Sequence, residues 1–152
     1  MADMLVKLYD LPIYQEKEIN GIKIKRAIAP EKIPVCDWVR QNFSKAWAGE
    51  CEAAFSRVPS SCFIAVKNGK IEGFACYDAT AKGFFGPIGV SVSERKSGIG
   101  KALLLAALNQ MRSDGYAYAI IGWAGPTDFF KKNCGAKTIE DSEPGIYSDL
   151  VK

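Results

Sequence analysis

The chain has 152 residues, of which 48% are hydrophobic and 24% charged, the proportions of one globular domain able to bury a core without disulfides or metals. It contains no histidine, which excludes a Ser-His-Asp triad, a Cys-His pair and a histidine-ligated zinc, and leaves carboxylates, Tyr, Cys, Lys or water for any proton transfer. A net charge of +3 with no basic run interleaved with aromatics argues against nucleic acid, so any anion site must be local.

No apolar run approaches the ~18 residues that a membrane span needs. Residues 1–21 carry Asp3, Asp10, Glu16 and Glu18 where a signal peptide is basic and then apolar. The five cysteines, Cys36, Cys51, Cys62, Cys76 and Cys134, are odd in number, widely spaced and free of any CxxC pair. They read as reduced thiols of a cytoplasmic protein with no metal site.

In chain order, residues 1–21 form a lead-in whose MLVKLYDLP is a short strand or an extended arm. IKIKRAI, residues 22–28, alternates apolar and basic residues as a half-exposed strand does. Pro30 suits a helix start, and Ile33, Cys36, Asp37 and Arg40 carry that helix to about Asn42. A second helical segment runs through Trp47, Cys51, Ala54 and Phe55 and stops near Pro59. SCFIAVKNGKIEGFACYDA is a hairpin, because Asn68-Gly69 supplies positive φ between two β-rich runs. GFFGPIGVSV is a further strand. Residues 93–108, SERKSGIGKALLLAAL, pass from a basic, glycine-punctuated loop into an apolar helix that ends at Gly115. YAYAIIGW, residues 116–123, reads as a buried strand. A last helix, about 126–133, precedes AKTIED and the tail PGIYSDL. The expectation is a single α+β domain over 1–152, strand-rich at first and βαβ in its second half.

The loop carries the chemistry. The first N–H groups of a helix are unpaired and, with the helix dipole, form an anion site. Gly98 and Gly100 let a bulky diphosphate come close, and Arg95 and Lys101 add charge. A Walker A loop fails on spacing, because Arg95 and Ala102 stand where Gly and Ser or Thr are needed. A Rossmann fingerprint fails on Leu103 and on the lack of an acidic residue after IIGW.

The spacing Arg/Gln-x-x-Gly-x-Gly/Ala is met by Arg95-Lys96-Ser97-Gly98-Ile99-Gly100. It resembles the acyl-CoA binding motif of the GCN5-related N-acetyltransferase (GNAT) family. The surroundings agree: GPIGVSV lies just upstream, the helix after the loop has Ile99, Leu103, Leu104, Ala107, Leu108 and Met111 at helical spacing, and DFFKKNCGAK is similar to the family's second motif. The resemblance covers about residues 22–150.

It implies a mixed, mostly antiparallel sheet with a splayed parallel strand pair, flanked by helices, and acetyl-CoA as cosubstrate. Pantetheine would lie against backbone groups of Ile88, Gly89 and Val90, the pyrophosphate over Arg95, Lys96, Ser97, Gly98, Ile99, Gly100 and Lys101, and Phe130 along the cofactor. Pro87, Gly86 and Gly89 suit an irregular strand. The implied activity is transfer of an acetyl group to a primary amine by direct attack, and dimers are common in the family.

The chain departs from the pattern where the family often has a Tyr as general acid, since Phe130 stands there. Tyr118 and Tyr147 are the candidate substitutes, with Cys134 a weaker one, and a CoA thiol with a pKa near ~8.5 can also leave unassisted. Glu72 and Asp78 are candidate bases, although most strand carboxylates are surface groups. Trp38, Phe43, Trp47 and Phe55 at helical spacing read as core that borders an acceptor pocket. Glu50 and Glu52 read as a solvated face on which a carboxylate could still hold an amine. The acceptor is open between a small metabolite, a polyamine and a protein amine. Two rival readings are an acyl-CoA-binding sensor or interaction module without chemistry, favoured by Phe130, and a loop that is only a tight turn.

Overall fold

The structure, a computed structural model, describes residues 1–15 and 18–152; Glu16, one of the acidic residues weighed against a signal peptide, lies outside the described residues. The strands are β1 (Met4–Lys7), β2 (Lys23–Arg26), β3 (Cys62–Lys67), β4 (Lys70–Tyr77), β5 (Phe84–Val90), β6 (Tyr118–Ile121) and β7 (Lys137–Thr138). The helices are α1 (Lys32–Asn42), α2 (Lys45–Ala54), α3 (Ile99–Ser113) and α4 (Thr127–Cys134). The strands make one sheet in the order β2-β3-β4-β5-β6-β1-β7. All its neighbours are antiparallel except β5 and β6. This is the mixed, mostly antiparallel α+β architecture that the sequence implied.

Local chemistry accounts for most elements. Asn68 (φ 51°) and Gly69 (φ 74°) form the β3–β4 turn with positive φ at both central residues, which matches the right-handed twist of the strands it joins. The Ser44 hydroxyl accepts from the Trp47 N–H at 3.1 Å and caps α2. α4 ends at Gly135, left-handed at φ 66°, where a Cβ would be strained. On α3 the residues at helical spacing, Ile99, Leu103, Leu104, Ala107, Leu108 and Met111, are all fully buried. Each of its larger apolar side chains contributes about 2 kcal/mol by leaving water.

The sheet separates two cores, as the two-residue period of a strand requires. On one face α3 and α4 pack against Ile24, Ala65, Ala75, Tyr77 and Phe85. On the other, α1 and α2 pack against Cys62, Ile64, Phe74 and Cys76. The second core gathers Cys36, Cys51, Cys62 and Cys76 from four elements, and the sulfurs of Cys51, Cys62 and Cys76 lie within 4.8 Å of one another. Burial, with Cys51 beside it, pushes the Cys36 thiol up to about 12. A hydrogen bond to Cys62, together with burial, takes Cys51 to about 12. These thiols fill space among alkyl groups as small apolar side chains do.

The lead-in contributes a strand, one inside the sheet and next to its edge. β1 lies between β6 and β7, with Met4, Val6 and Leu8 fully buried. No helix among the described residues is long and apolar enough to cross a membrane.

Candidate active site

The two edges of β5 differ. Toward β4 it pairs at Gly73↔Val90, Phe74↔Gly89, Ala75↔Ile88 and Tyr77↔Phe85, with an irregularity opposite Gly86-Pro87. Toward β6 it pairs only at Phe84↔Ile120 and Phe85↔Ile121, after which the strands part. Pro87 has no N–H to offer and Gly86 sits at φ 122°, so regular pairing ends there. The Ser91 N–H donates to the Glu72 carbonyl at 2.8 Å. Antiparallel alternation then turns the polar backbone groups of Gly89 toward β4 and those of Ile88 and Val90 into the opening. Of the three residues expected to offer backbone to pantetheine, Ile88 and Val90 turn theirs into the opening and Gly89 turns its own toward β4. Its glycine identity has another cause, since the Phe43 ring occupies the place of its Cβ.

At the end of β5 the chain makes a short 3-10 turn, Val92–Glu94, and enters α3 through Gly98, which is left-handed at φ 94°. No side chain caps α3, so its first N–H groups point outward. Arg95, Lys96 and Lys101 are exposed and form no ion pair among the described residues. The Ser97 hydroxyl is taken up locally, donating to the Glu94 carbonyl at 2.5 Å. Ile99 is fully buried, so only its backbone faces the loop. A Cβ on Gly100 would meet Phe129 Cζ at 3.5 Å, an ordinary contact that leaves α4 alongside the loop.

Between the parted strands lies a cavity of about 690 Å³. It is bordered by Phe85, Pro87 and Ile88 of β5, by residues 121–126 after β6, by Trp47 and Glu50 of α2, by Phe130 of α4, and by the tail residues Ile146, Tyr147 and Leu150. Because α2 and α4 lie on opposite faces of the sheet, the cavity is a slot through it. The Tyr147 hydroxyl occupies the place that a Gly122 Cβ would take, and its ring stacks on Trp123 at 4.3 Å between centroids. Burial, with the Glu50 and Asp3 charges, holds the Tyr147 phenol up at about 12, so it stays a proton-bearing donor near neutral pH. Trp123 itself sits at φ 46°. Its N–H donates to a carboxylate oxygen of Asp3 at 3.0 Å, and Asp3 is almost fully buried.

The remaining sequence candidates fall elsewhere. Tyr118 opens β6 at the end away from the slot, half exposed, with its hydroxyl 3.2 Å from that of Tyr9. Asp78 is a turn residue: its carboxylate pairs with Arg57 at 3.1 Å and accepts from the Gly83 N–H at 2.7 Å and the Tyr116 hydroxyl at 3.0 Å. Glu72 accepts from the Ser91 hydroxyl at 2.6 Å, beside the loop rather than the slot. Phe130 is buried against Phe85, with centroids 6.3 Å apart, and is a wall with no proton to give. Cys134 is buried, donates to the Phe130 carbonyl at 3.2 Å, and burial pushes its thiol up to about 11.

Glu50, read from sequence as a solvated face, is half-buried in the slot. It accepts from the Thr80 hydroxyl at 2.5 Å, and burial pushes its carboxyl above the ordinary range. Its i, i+3 spacing from Trp47 was the available signal, but which helix face meets the slot is a tertiary fact. Asp3 gave no signal at all.

Residues 32–136 match the model of the acetyltransferase (GNAT) family. A GCN5-related N-acetyltransferase from Sphaerobacter thermophilus has a TM-score of 0.68 at 20% identity, over 91% of this chain and 48% of its own. A GCN5-related glucosamine N-acetyltransferase region of a fungal multi-domain GH3 β-N-acetylglucosaminidase has a TM-score of 0.68 at 17% identity, over 91% of this chain and 19% of that one. A GNAT family N-acetyltransferase from Escherichia coli, in complex with CoA, has a TM-score of 0.51 at 16% identity, over 68% of this chain and 63% of that one. The likeness at these identities is one of fold, and the chain spans about half the length of the first of them. No curated protein is significantly similar in sequence.

Proposed function

From the chain's membership of the acetyltransferase (GNAT) family, we propose that it transfers the acetyl group of acetyl-CoA to a primary amine by direct attack in a ternary complex. The observation that carries this reading is the one-sided opening of β5, which continues from the uncapped start of α3 into a slot through the sheet. Acetyl-CoA supplies a thioester carbon; the amine nitrogen forms the C–N bond as the C–S bond breaks, and the proton shed by the amine ends on the CoA thiol. The N–H groups at residues 98–101, with Arg95, Lys96 and Lys101, hold the diphosphate. The backbone groups of Ile88 and Val90 hold pantetheine as a partner strand would. Phe129 and Phe130 line its path. An N–H of the opened strand polarises the thioester carbonyl. Tyr147 donates a hydrogen bond to the departing sulfur, the role that Phe130 cannot fill. A phenol in the slot also weakens the reading as a sensor without chemistry, whose support was Phe130.

The test is the unfolding temperature with and without acetyl-CoA, for the wild type and Gly98→Asp. At about 100 times its dissociation constant the ligand adds about 2.7 kcal/mol, or roughly 5–10 °C for a domain of this size. The reading expects that shift in the wild type and its loss in the variant. No shift at millimolar acetyl-CoA would end both this reading and the sensor.

A further inference from the structure

The slot's walls are specific about what can occupy the side facing α2. Among its lining residues Glu50 alone has a charged side chain. That carboxylate is half-buried, bonds to the Thr80 hydroxyl, and has no cation partner among the described residues. One neutral hydrogen bond does not offset the loss of water around a carboxylate. Its charge is felt at Tyr147, whose hydroxyl lies over Gly122 where β5 and β6 part. Besides the Thr80 and Tyr147 hydroxyls, the rest of the wall is Met1, alanine, glycine, proline, branched aliphatics and the rings of Trp47, Phe85, Trp123 and Phe130. The volume, about 690 Å³, is that of a small-molecule site.

We propose that Glu50 receives the ammonium group of the acceptor, and that the acceptor is a small primary monoamine with an apolar or aromatic body. This rests on the acetyltransferase reading and narrows its substrate class. A second ammonium, as in a polyamine, would meet no second carboxylate in the slot. An amino-acid carboxylate would meet no Lys or Arg side chain, and an amino sugar would find only the Thr80 and Tyr147 side-chain hydroxyls for its several hydroxyls, the others lying unpaired against alanine, proline and isoleucine. An ammonium held by Glu50 must give up its proton before the nitrogen can attack, and the same carboxylate is the nearest group to take it. That proton passes from Glu50 to solvent, the second one, shed as the C–N bond forms, ends on the leaving sulfur, and Glu50 returns to its ionised form.

The experiment pairs equilibrium binding with turnover. 2-Phenylethylamine is titrated calorimetrically into the protein saturated with CoA. CoA release from acetyl-CoA is then followed with 2-phenylethylamine, hexylamine, spermidine, glucosamine, lysine and a lysine-containing peptide. The expected result is binding of 2-phenylethylamine and a preference for the two monoamines. In Glu50→Gln the affinity for the amine falls about 10- to 100-fold, the worth of one charged hydrogen bond, and kcat falls as well, because Gln cannot take the ammonium's proton. Glu50→Asp recovers part of it, and all three proteins show the same acetyl-CoA thermal shift. The proposal is overturned if 2-phenylethylamine does not bind, if spermidine, glucosamine, lysine or the peptide is preferred, or if Glu50→Gln binds the amine within twofold of wild type. An intact acetyl-CoA shift beside any of those results leaves the acetyltransferase reading standing; a missing shift removes both.

Discussion

The two sides of β5 are built from the same seven residues and behave in opposite ways. Toward β4 the strand is sealed: Gly89 lies under Phe43, Gly73 lies 2.9 Å from Leu103 at its would-be Cβ, and the ladder holds from Ile88 to Val90. Toward β6 it pairs at two positions and then lets go. Glycine therefore means different things in the strand and in the loop that follows it. At Gly89 it admits a neighbouring ring, whereas at Gly98 it permits a left-handed backbone at φ 94° beside the helix start. The proposed cosubstrate site is the side on which a sheet declined to form.

Substitutions can break that contrast. The largest effect belongs to Gly98→Asp, which sets a carboxylate at the anion site; acetyl-CoA binding and turnover should both fall below detection while the fold survives, since Asp tolerates left-handed φ better than most residues. Tyr147→Phe comes next. It should lower kcat about 100-fold, the scale of a lost proton-donating group, with acetyl-CoA affinity within about threefold by the same reasoning.

A pair of alanines separates the packed strand from the loop-to-helix turn. Gly89→Ala must push Phe43 aside and should cost about 1–3 kcal/mol of stability, seen in urea or thermal unfolding. Gly100→Ala fits by ordinary contact with Phe129 and Val90 and should stabilise α3 by about 0.5–1 kcal/mol, with acetyl-CoA binding retained, since the motif admits alanine at that position. If both variants lose stability equally, the glycines of the strand and of the helix start are not different in kind.

The smallest effect is a pH dependence. Burial holds the folded carboxyl of Glu50 above its unfolded value, so near that window the native state binds more protons than the unfolded one. Its contribution to stability is then present below the unfolded pKa and lost as pH rises through the folded value. Glu50→Gln should flatten that limb of a stability–pH curve measured by denaturant unfolding, and the same ionisation should make amine turnover fall off at a higher pH than an ordinary carboxylate would.

Much of this was legible beforehand because it is local. Asn68-Gly69 dictates a hairpin, the apolar period of residues 99–111 dictates a helix, and Gly98 marks the left-handed entry into it. The rest depends on what meets what across the chain. β1 could not be placed from MLVK, because its seat between β6 and β7 is a long-range pairing. Tyr118 and Tyr147 were equal as phenols, and only the return of the tail over Gly122 separates them. Asp78 was a plausible base until Arg57, Gly83 and Tyr116 were seen to occupy it. Glu50 was hidden because a helix shows two faces, and the sequence does not say which one overlooks a gap.

The most direct measurement is residue-resolved amide hydrogen exchange along β5, with and without CoA. The account predicts that the Ile88 and Val90 amides exchange readily in the free protein and become protected when CoA binds, whereas the Gly89 amide is protected in both states. Ile88 and Val90 amides already protected without ligand, or unchanged at saturating CoA, would contradict the claim that the opened edge of β5 is where the cosubstrate lies.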